Sequence, residues 1–409
     1  MKSFVKRNWI CLTINRVCFA SMALSIPVIT AYWESLGLKT SGGYILEIVF
    51  AMGLVVLEVA TGKLSDVFGR KACLIAAGIT GALGALSYAV AEGFRGLVVA
   101  ELLFALSIAL NSGTEEALLY ESYEIDKKNG LIHDHSFRQS WKLLFKIGFW
   151  SMVPCSALAG YLFAINPRMT WWILVTLMLI RSVSTCFIME TYAKPEKEEE
   201  QTGHIKQATR LLFCSCPDLR WITLVIAVIA GINQTAVWSY TPQFQREGWS
   251  LVSIGWVFAA FHVIAGLSAV GKESAKAQTT SEVFAWILAL GTATTLGFVS
   301  LGLASSAWIV LAAAPQQWVR GGLTWIFSDY YQSRTPDHIR ASVGSVRSAV
   351  GLLMYSVLML PYVMLIDHVG RTGMLLGVGV VSSLLLGILF GFIRARSCAL
   401  GMAFLKKEN

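Results

Sequence analysis

Charge is scarce in this 409-residue chain: 14% of its residues are Asp, Glu, Lys or Arg, against 55% hydrophobic. Soluble domains carry roughly a quarter charged residues, so there is too little polar surface here to coat one or two of them, and a bilayer is the solvent the composition fits. Catalytic signatures are missing as well. No HExxH pair, GxSxG elbow or Asp-rich metal motif occurs in the polar loops, which argues against a membrane enzyme, and the short tails argue against a sensor with an appended domain. Among the eight cysteines the Cys214-Ser-Cys216 pair has no second pair nearby. Cys11, Cys18, Cys73, Cys155 and Cys186 fall in or at apolar runs, where cysteine acts as a small hydrophobe. Cys214, Cys216 and Cys398 fall in segments read below as cytoplasmic, where disulfides are rare. His133 and His135 read as ordinary residues of the polar loop LIHDHSFRQ, so neither a metal nor a cofactor is expected.

What the chain does have is a succession of apolar runs. A spanning helix takes about 20 mostly apolar residues at ~1.5 Å each. Twelve runs qualify: roughly 9 to 32, 42 to 61, 72 to 91, 96 to 120, 138 to 163, 169 to 190, 219 to 241, 250 to 270, 281 to 302, 306 to 328, 342 to 366 and 373 to 393. The first follows Lys6 and Arg7 like a secretory signal. It is too long for one, contains Asn15 and Arg16 and lacks a small-residue cleavage site, so it counts as span 1.

Cations in alternate loops set the orientation. The N-terminus, the loops after even-numbered spans and the C-terminal tail hold 24 of the 33 Lys and Arg; the other loops hold Lys39, Arg95, Arg168, Arg246 and Arg371. Both termini are therefore expected on the cytoplasmic side of a plasma (inner) membrane. Topology accounts for the formal charge of +8, and no nucleic-acid partner is implied. Arg16, Lys146, Arg181 and Arg320 remain inside spans.

Between spans 2 and 3 lies GKLSDVFGRK (62 to 71), and sliding the chain along itself shows that this turn is repeated. At an offset of 209 residues GKLS falls on GKES (271 to 274), and SFRQSWKLL (136 to 144) on SVRSAVGLL (345 to 353); an offset of 208 aligns Gly113, Glu121 and Tyr123 with Gly321, Asp329 and Tyr331. The matches keep their order at about half the chain length. They imply an all-α polytopic membrane protein whose twelve transmembrane helices form two six-helix bundles related by a parallel repeat. The expected divisions are 1–190, a cytoplasmic linker at 191–218 that includes the polar KPEKEEEQTG, and 219–409. Parallel repeats with a substrate site between them describe a secondary transporter.

The loop also resembles the signature of the major facilitator superfamily, G-x-L-a-D-x-x-G-R-[KR], at Gly62, Leu64, Asp66, Gly69, Arg70 and Lys71. RTPDHIRASVGS (334 to 345) is similar to the loop between spans 10 and 11 of bacterial members, and the whole looks like the drug-exporter-like branch. The glycines permit a tight turn and Arg70 and Lys71 hold the cytoplasmic face. The resemblance implies that Asp66 braces the start of span 11 as a conformational latch, a position where a carboxylate suits the helix dipole. It also implies that spans 1, 4, 7 and 10 line the cavity. Two departures stand out: GKESAKAQTT lacks the Asp and the Gly-Arg, and span 5 has VPCSALAG (153 to 160) where proton-driven exporters show G-P-x-x-G-G.

Ionisable groups inside spans are costly and usually functional. By helical rise, Arg16 lies roughly 10 Å from the cytoplasmic end of its span, and Glu58, Glu115 and Glu116 about 6 Å from that side, so depth allows Arg16 to pair with any of the three. Glu101 and Glu47 lie near the outer side, with no span cation at their depth. Such a carboxylate can load a proton, and because span 4 lines the cavity Glu101 is the first candidate for proton coupling, ahead of Glu58, Glu115 and Glu116. The alternative for Glu101 is a carboxyl hydrogen bonded to a neighbouring helix. Arg16 and Arg320, one from each half, suit an anionic or zwitterionic substrate, since Arg clamps carboxylates. Span 7 adds Asn233 with Tyr240, seven apart, and Gln234 with Trp238, four apart, both same-face pairs; the two aromatics fit a membrane-interface belt equally well. The expected function is alternating-access transport of a small organic molecule, as a proton-driven efflux antiporter. The alternative is proton-coupled uptake of an anionic or zwitterionic solute, and a remaining one a sensor or enzyme with no transport cycle. The partners are the solute, protons and the lipid bilayer, with a monomer as the working unit.

Overall fold

The computed structural model describes residues 3–61, 68–131, 136–191, 200–269, 279–305, 308–336 and 339–405. All regular structure among the described residues is helical. In chain order the helices are α1 Phe4–Ala20, α2 Ile29–Ser35, α3 Thr40–Thr61, α4 Arg70–Val90, α5 Phe94–Asn111, α6 Thr114–Lys128, α7 Ser136–Ile165, α8 Met169–Cys186, α9 Glu200–Arg210, α10 Pro217–Arg246, α11 Leu251–Ala269, α12 Thr280–Leu303, α13 Trp308–Ile326, α14 Ser328–Gln332 and α15 Arg340–Leu405. The last is two helices end to end, parted at Gly370 (φ 74, ψ 166).

Among the described residues ten helices are long and apolar enough to cross a membrane, or eleven when Phe4–Leu24 and Ile29–Ser35, bent by 53°, count as one span. The remaining run of the twelve, 306 to 328, folds as the 19-residue α13, whose Pro315, Gln316, Gln317 and Arg320 keep it from qualifying by composition. Large apolar side chains such as Val56, Leu303 and Ile388 are 64%, 70% and 69% exposed, which in water would be a liability and in lipid is the expected outer surface.

Span 4 is interrupted. α5 ends at Asn111 and α6 starts at Thr114, with Gly113 between them in the left-handed region (φ 72). The second piece runs on to Lys128, well beyond the expected end near 120. Its Glu115 and Glu116 in the first turn and Lys127 and Lys128 in the last complement the helix dipole, so YESYEIDKK, polar enough to pass for a loop, continues as helix. α1 likewise begins at Phe4 instead of near 9. These extensions place Arg16 and Glu115 each roughly 18–20 Å from its helix end, at matched depth.

The chain divides into two compact units: Met1–Gln201 with Thr241–Gly266, and Thr202–Tyr240 with Leu267–Asn409. In the first, α4 packs chiefly on α5 and α8, α3 lies on α5, and α1 touches α6, α7 and α8. Close approach of α4 to α8 requires Gly78, where a Cβ would sit 2.7 Å from Ser182 Cα. In the second, α12 packs on α13 and α15.

Asp126, fully buried near the end of α6, caps α1. Its carboxylate accepts from the backbone N–H of Phe4 at 3.1 Å and of Val5 at 3.0 Å, and from Ser3 Oγ at 2.7 Å. A carboxylate there satisfies orphan N–H donors and the positive end of the helix dipole together. We expect Asp126→Ala to cost about 1–2 kcal/mol, as the loss of a helix cap does, read as a lower unfolding midpoint in detergent. An unchanged midpoint would show that α1 is held by its packing alone.

Candidate functional site

The first unit holds a buried polar network around α1. Arg181 on α8 is fully buried. Its Nε donates to Asn15 Oδ1 at 2.7 Å, one terminal nitrogen to Ser107 Oγ at 3.3 Å, and the other to Asn111 Oδ1. Asn15 in turn donates through Nδ2 to Glu115 Oε1. The second oxygen of Glu115 pairs with Arg16 at 2.5 Å, whose guanidinium also lies 5.5 Å from the centre of the Trp141 ring, a cation–π distance. Of the three carboxylates within reach of Arg16 by depth, Glu115 is its ion-pair partner; Glu116 is exposed and Glu58 is half buried. The Glu115 carboxylate thus pairs with Arg16 and is linked through Asn15 to Arg181, which the neutral oxygens of Asn15, Asn111 and Ser107 hold.

Glu101 is 5% exposed on α5. It accepts a hydrogen bond from the Tyr88 hydroxyl of α4, the neighbouring-helix geometry that stood as the alternative to proton loading. Trp33 Nε1 donates to the same hydroxyl at 3.3 Å, and Tyr32 OH donates to the Tyr88 carbonyl at 2.6 Å. The Tyr88 ring stacks on Trp171 with centroids 3.9 Å apart. Glu47, 4% exposed, is buried as well. Burial thus keeps water from both carboxylates, with aromatic rings packed about the partner of Glu101, and strengthens whatever electrostatic interactions they make.

At the turn between α3 and α4, Gly62 and Asp66 lie outside the described residues, so the latch contact has no geometry here. Its neighbours do. Gly69 takes φ 89 just before α4, the Lys71 N–H donates to Glu190 Oε2 at 3.0 Å, and Arg70 pairs with Glu121 at 3.3 Å. Thr191 donates to the other oxygen of Glu121 at 2.6 Å. The turn is thereby tied to α6 and to the segment following α8.

The second unit holds the other group of candidates. Asn233, Trp238 and Tyr240 are buried on α10, and Gln234 is exposed. Trp238 Nε1 donates to Tyr355 OH at 2.8 Å, so it packs inside its own unit. Tyr240 OH donates to Gln316 Oε1 at 2.6 Å and accepts from Gln317 Nε2 at 3.0 Å. Arg320, one turn along α13, is close enough for its charge to act on the Tyr240 hydroxyl.

Residue reading missed the partners more than the principals. Arg181 and Asn15 stand out as polar residues in apolar runs, but their partners lie 70 to 166 positions away. Gln316 and Gln317, adjacent amides within a span, were a usable signal.

Comparison with known proteins agrees with this architecture. No curated protein matches the chain in sequence. Among solved structures, a mutant of the nucleoside transporter NupG superposes with a TM-score of 0.77 at 12% identity, covering 94% of this chain and 99% of that one. A POT family transporter in complex with a thioalcohol-conjugated peptide gives 0.72 at 10% identity, covering 95% of each chain. One in complex with 5-aminolevulinic acid gives 0.72 at 10% identity, covering 96% of each. At these identities the likeness is one of fold. The family model described as Major Facilitator Superfamily matches residues 9–355, most of the chain, and the protein is therefore a member of the Major Facilitator Superfamily, a multi-pass membrane protein with the fold of its transporters.

Proposed function

We propose that this protein is a proton-coupled secondary transporter of a polar organic solute carrying an anionic group, acting as a monomer in the plasma (inner) membrane with both termini cytoplasmic. The two halves, 1–190 and 219–409 joined by 191–218, alternate access. The observation that carries the reading is α13: among the described residues it is the run too polar to pass as a span by composition, and its Gln316 and Gln317, one turn before Arg320, hydrogen bond with Tyr240 of α10. Polar groups at that depth are retained for a ligand or a pathway. The solved transporters of similar fold handle nucleosides and peptides, polar solutes of comparable size.

For direction, the GKLSDVFGRK loop favours efflux in exchange for protons, and VPCSALAG, with Pro154 but without the exporter glycines, favours uptake with protons. Vesicles of opposite orientation under one imposed pH gradient separate the two. Efflux predicts accumulation in inverted vesicles acidified inside, uptake in right-side-out vesicles acidified outside, and accumulation in neither ends the proton-coupled reading. Arg320→Gln should weaken solute binding by about 1.5–3 kcal/mol, the range of a charge-assisted hydrogen bond, which is roughly a 10- to 150-fold rise in the apparent dissociation constant. An unchanged constant would make Arg320 a packing residue.

A further inference from the structure

Three arginines gather at one end of the second unit, where α10 and α15 begin. Tyr331 of α14 and Thr223 of α10 share a hydrogen bond at 2.8 Å, and the guanidinium of Arg347, two turns into α15, lies 3.5 Å from the centre of the Tyr331 ring. Arg334 lies 3.6 Å from the centre of the Tyr330 ring, and the two rings are 6.5 Å apart. Arg220 precedes Thr223 by three residues and so shares its side of α10.

These charges are not answered from within the protein. The first unit pairs Arg16 with Glu115 and Arg70 with Glu121, whereas among the described residues Arg220, Arg334 and Arg347 have no carboxylate partner. Their contacts are aromatic rings and neutral oxygens: Arg220 donates to the Phe213 carbonyl at 3.2 Å, and Arg334 to the Tyr330 carbonyl at 3.3 Å and Ser333 Oγ at 3.2 Å. Two donors are left over. Arg220 Nε is buried without a hydrogen-bond partner, and so is the hydroxyl of Tyr330, on a residue 0% exposed. Unpaired cations beside unused buried donors ask for an anion rich in acceptor oxygens, as a phosphate is.

Depth names the source of that phosphate. Arg220 is the fourth residue of α10, next to Trp221, and Arg347 is five residues beyond Ser342, where the apolar segment of α15 starts, or about 8 Å along the helix. Arginine and tryptophan at the ends of spans stand at headgroup level, and basic pockets between helix ends hold anionic headgroups. Further along α15, Leu353, Val357, Leu360 and Met364 recur at helical spacing and are all exposed, an apolar strip against which an acyl chain can lie. We infer that this end of the second unit binds the phosphate of an anionic phospholipid, with Arg220 and Arg347 on its oxygens and Arg334 adding charge at the rim. Tyr240 lies about 25 Å further along α10, so the lipid site is separate from the solute site and stands whether or not the protein transports.

The test titrates the full-length protein in detergent with dioleoylphosphatidylglycerol and dioleoylphosphatidylcholine, which share acyl chains and differ in net charge, and reads bound lipid by native mass spectrometry. The wild type should bind the anionic lipid at least about tenfold tighter, since each Lys or Arg near a headgroup is worth roughly fivefold. Arg220→Gln and Arg347→Gln should each remove about fivefold, and the double variant should bring the two lipids close to parity. Arg347→Lys, which keeps the charge, should retain most of the preference, a rescue that misfolding would not allow. Lys39→Gln, which removes an exposed cation just before α3, should leave it as it was. Equal affinity for the two lipids in the wild type, a preference that survives the double variant, or an equal loss in Lys39→Gln would overturn the assignment. Excess inorganic phosphate separates the two sources of the anion: lipid that stays bound supports a headgroup site, and its displacement by free phosphate, with the same dependence on Arg220 and Arg347, overturns it.

Discussion

Glu101→Gln should bring transport driven by a pH gradient down to background while exchange of labelled for unlabelled solute continues. Glutamine keeps the oxygen that accepts from Tyr88 and nearly the same volume, so the aromatic packing around Trp33, Tyr88 and Trp171 has no reason to move. What it removes is the ability to gain and lose a proton. Net transport needs that step in every cycle; exchange needs only binding and rocking of the loaded protein. The two assays, run on one preparation in sealed vesicles, separate coupling from binding. Full gradient-driven transport in the variant would mean that the proton travels on another carboxylate, with Glu115, Glu58 and Glu116 next. Loss of both activities would place Glu101 in the packing of α5 against α4, the role its hydrogen bond from Tyr88 also fits.

The spans were legible because a bilayer demands length and apolarity from each segment separately, and a local window can measure both. The same rule makes α13, legible as the run 306 to 328, the weakest of the spans, since the residues that give a transporter its polar interior are the ones that lower the hydropathy of the helix carrying them. It hid the true length of span 4. Glu121, Glu124 and Asp126 read as a loop, yet each has a structural assignment or sits on a helix already started at Gly113; Asp126 caps α1 and Glu121 holds Arg70. Depths measured from the shorter helix ends already allowed Arg16 to pair with Glu58, Glu115 or Glu116, and the extended helices single out Glu115 by putting the two level and in contact. Individual residues such as Glu101, Arg320 and Tyr240 could be picked out as costly in their surroundings. Their partners could not, because hydrogen bonds such as that between Arg181 and Asn15, 166 residues apart, are decided by which helices the bundle brings together, and nothing periodic in the sequence records that choice.

Arg181→Met carries the largest expected effect on stability. The side chain is of similar length, so little volume is lost, but three donors disappear. Asn15 Oδ1, Asn111 Oδ1 and Ser107 Oγ each lose a partner inside the protein, and a buried polar atom stranded in this way costs about 1–3 kcal/mol. Some relaxation is available, since Asn15 and Asn111 are already within 3.4 Å of one another and can turn to bond directly. The net loss should be about 3–5 kcal/mol, the range seen when one member of a buried charged group is removed, read from unfolding in detergent. Arg181→Lys should recover little of it, because one ammonium cannot reach three acceptors lying in the directions that a planar guanidinium spans. Asn15→Leu should destabilise as well, and in combination with Arg181→Met the two losses should fall short of their sum, since both break one network. Simple additivity would mean that Arg181 and Asn15 are held independently, and a stable Arg181→Met protein would assign the buried guanidinium to function in place of structure. Arg16→Gln provides the contrast: it deprives Glu115 of its cation, but the Asn15 bond to that carboxylate survives, so its cost should be the smaller of the two.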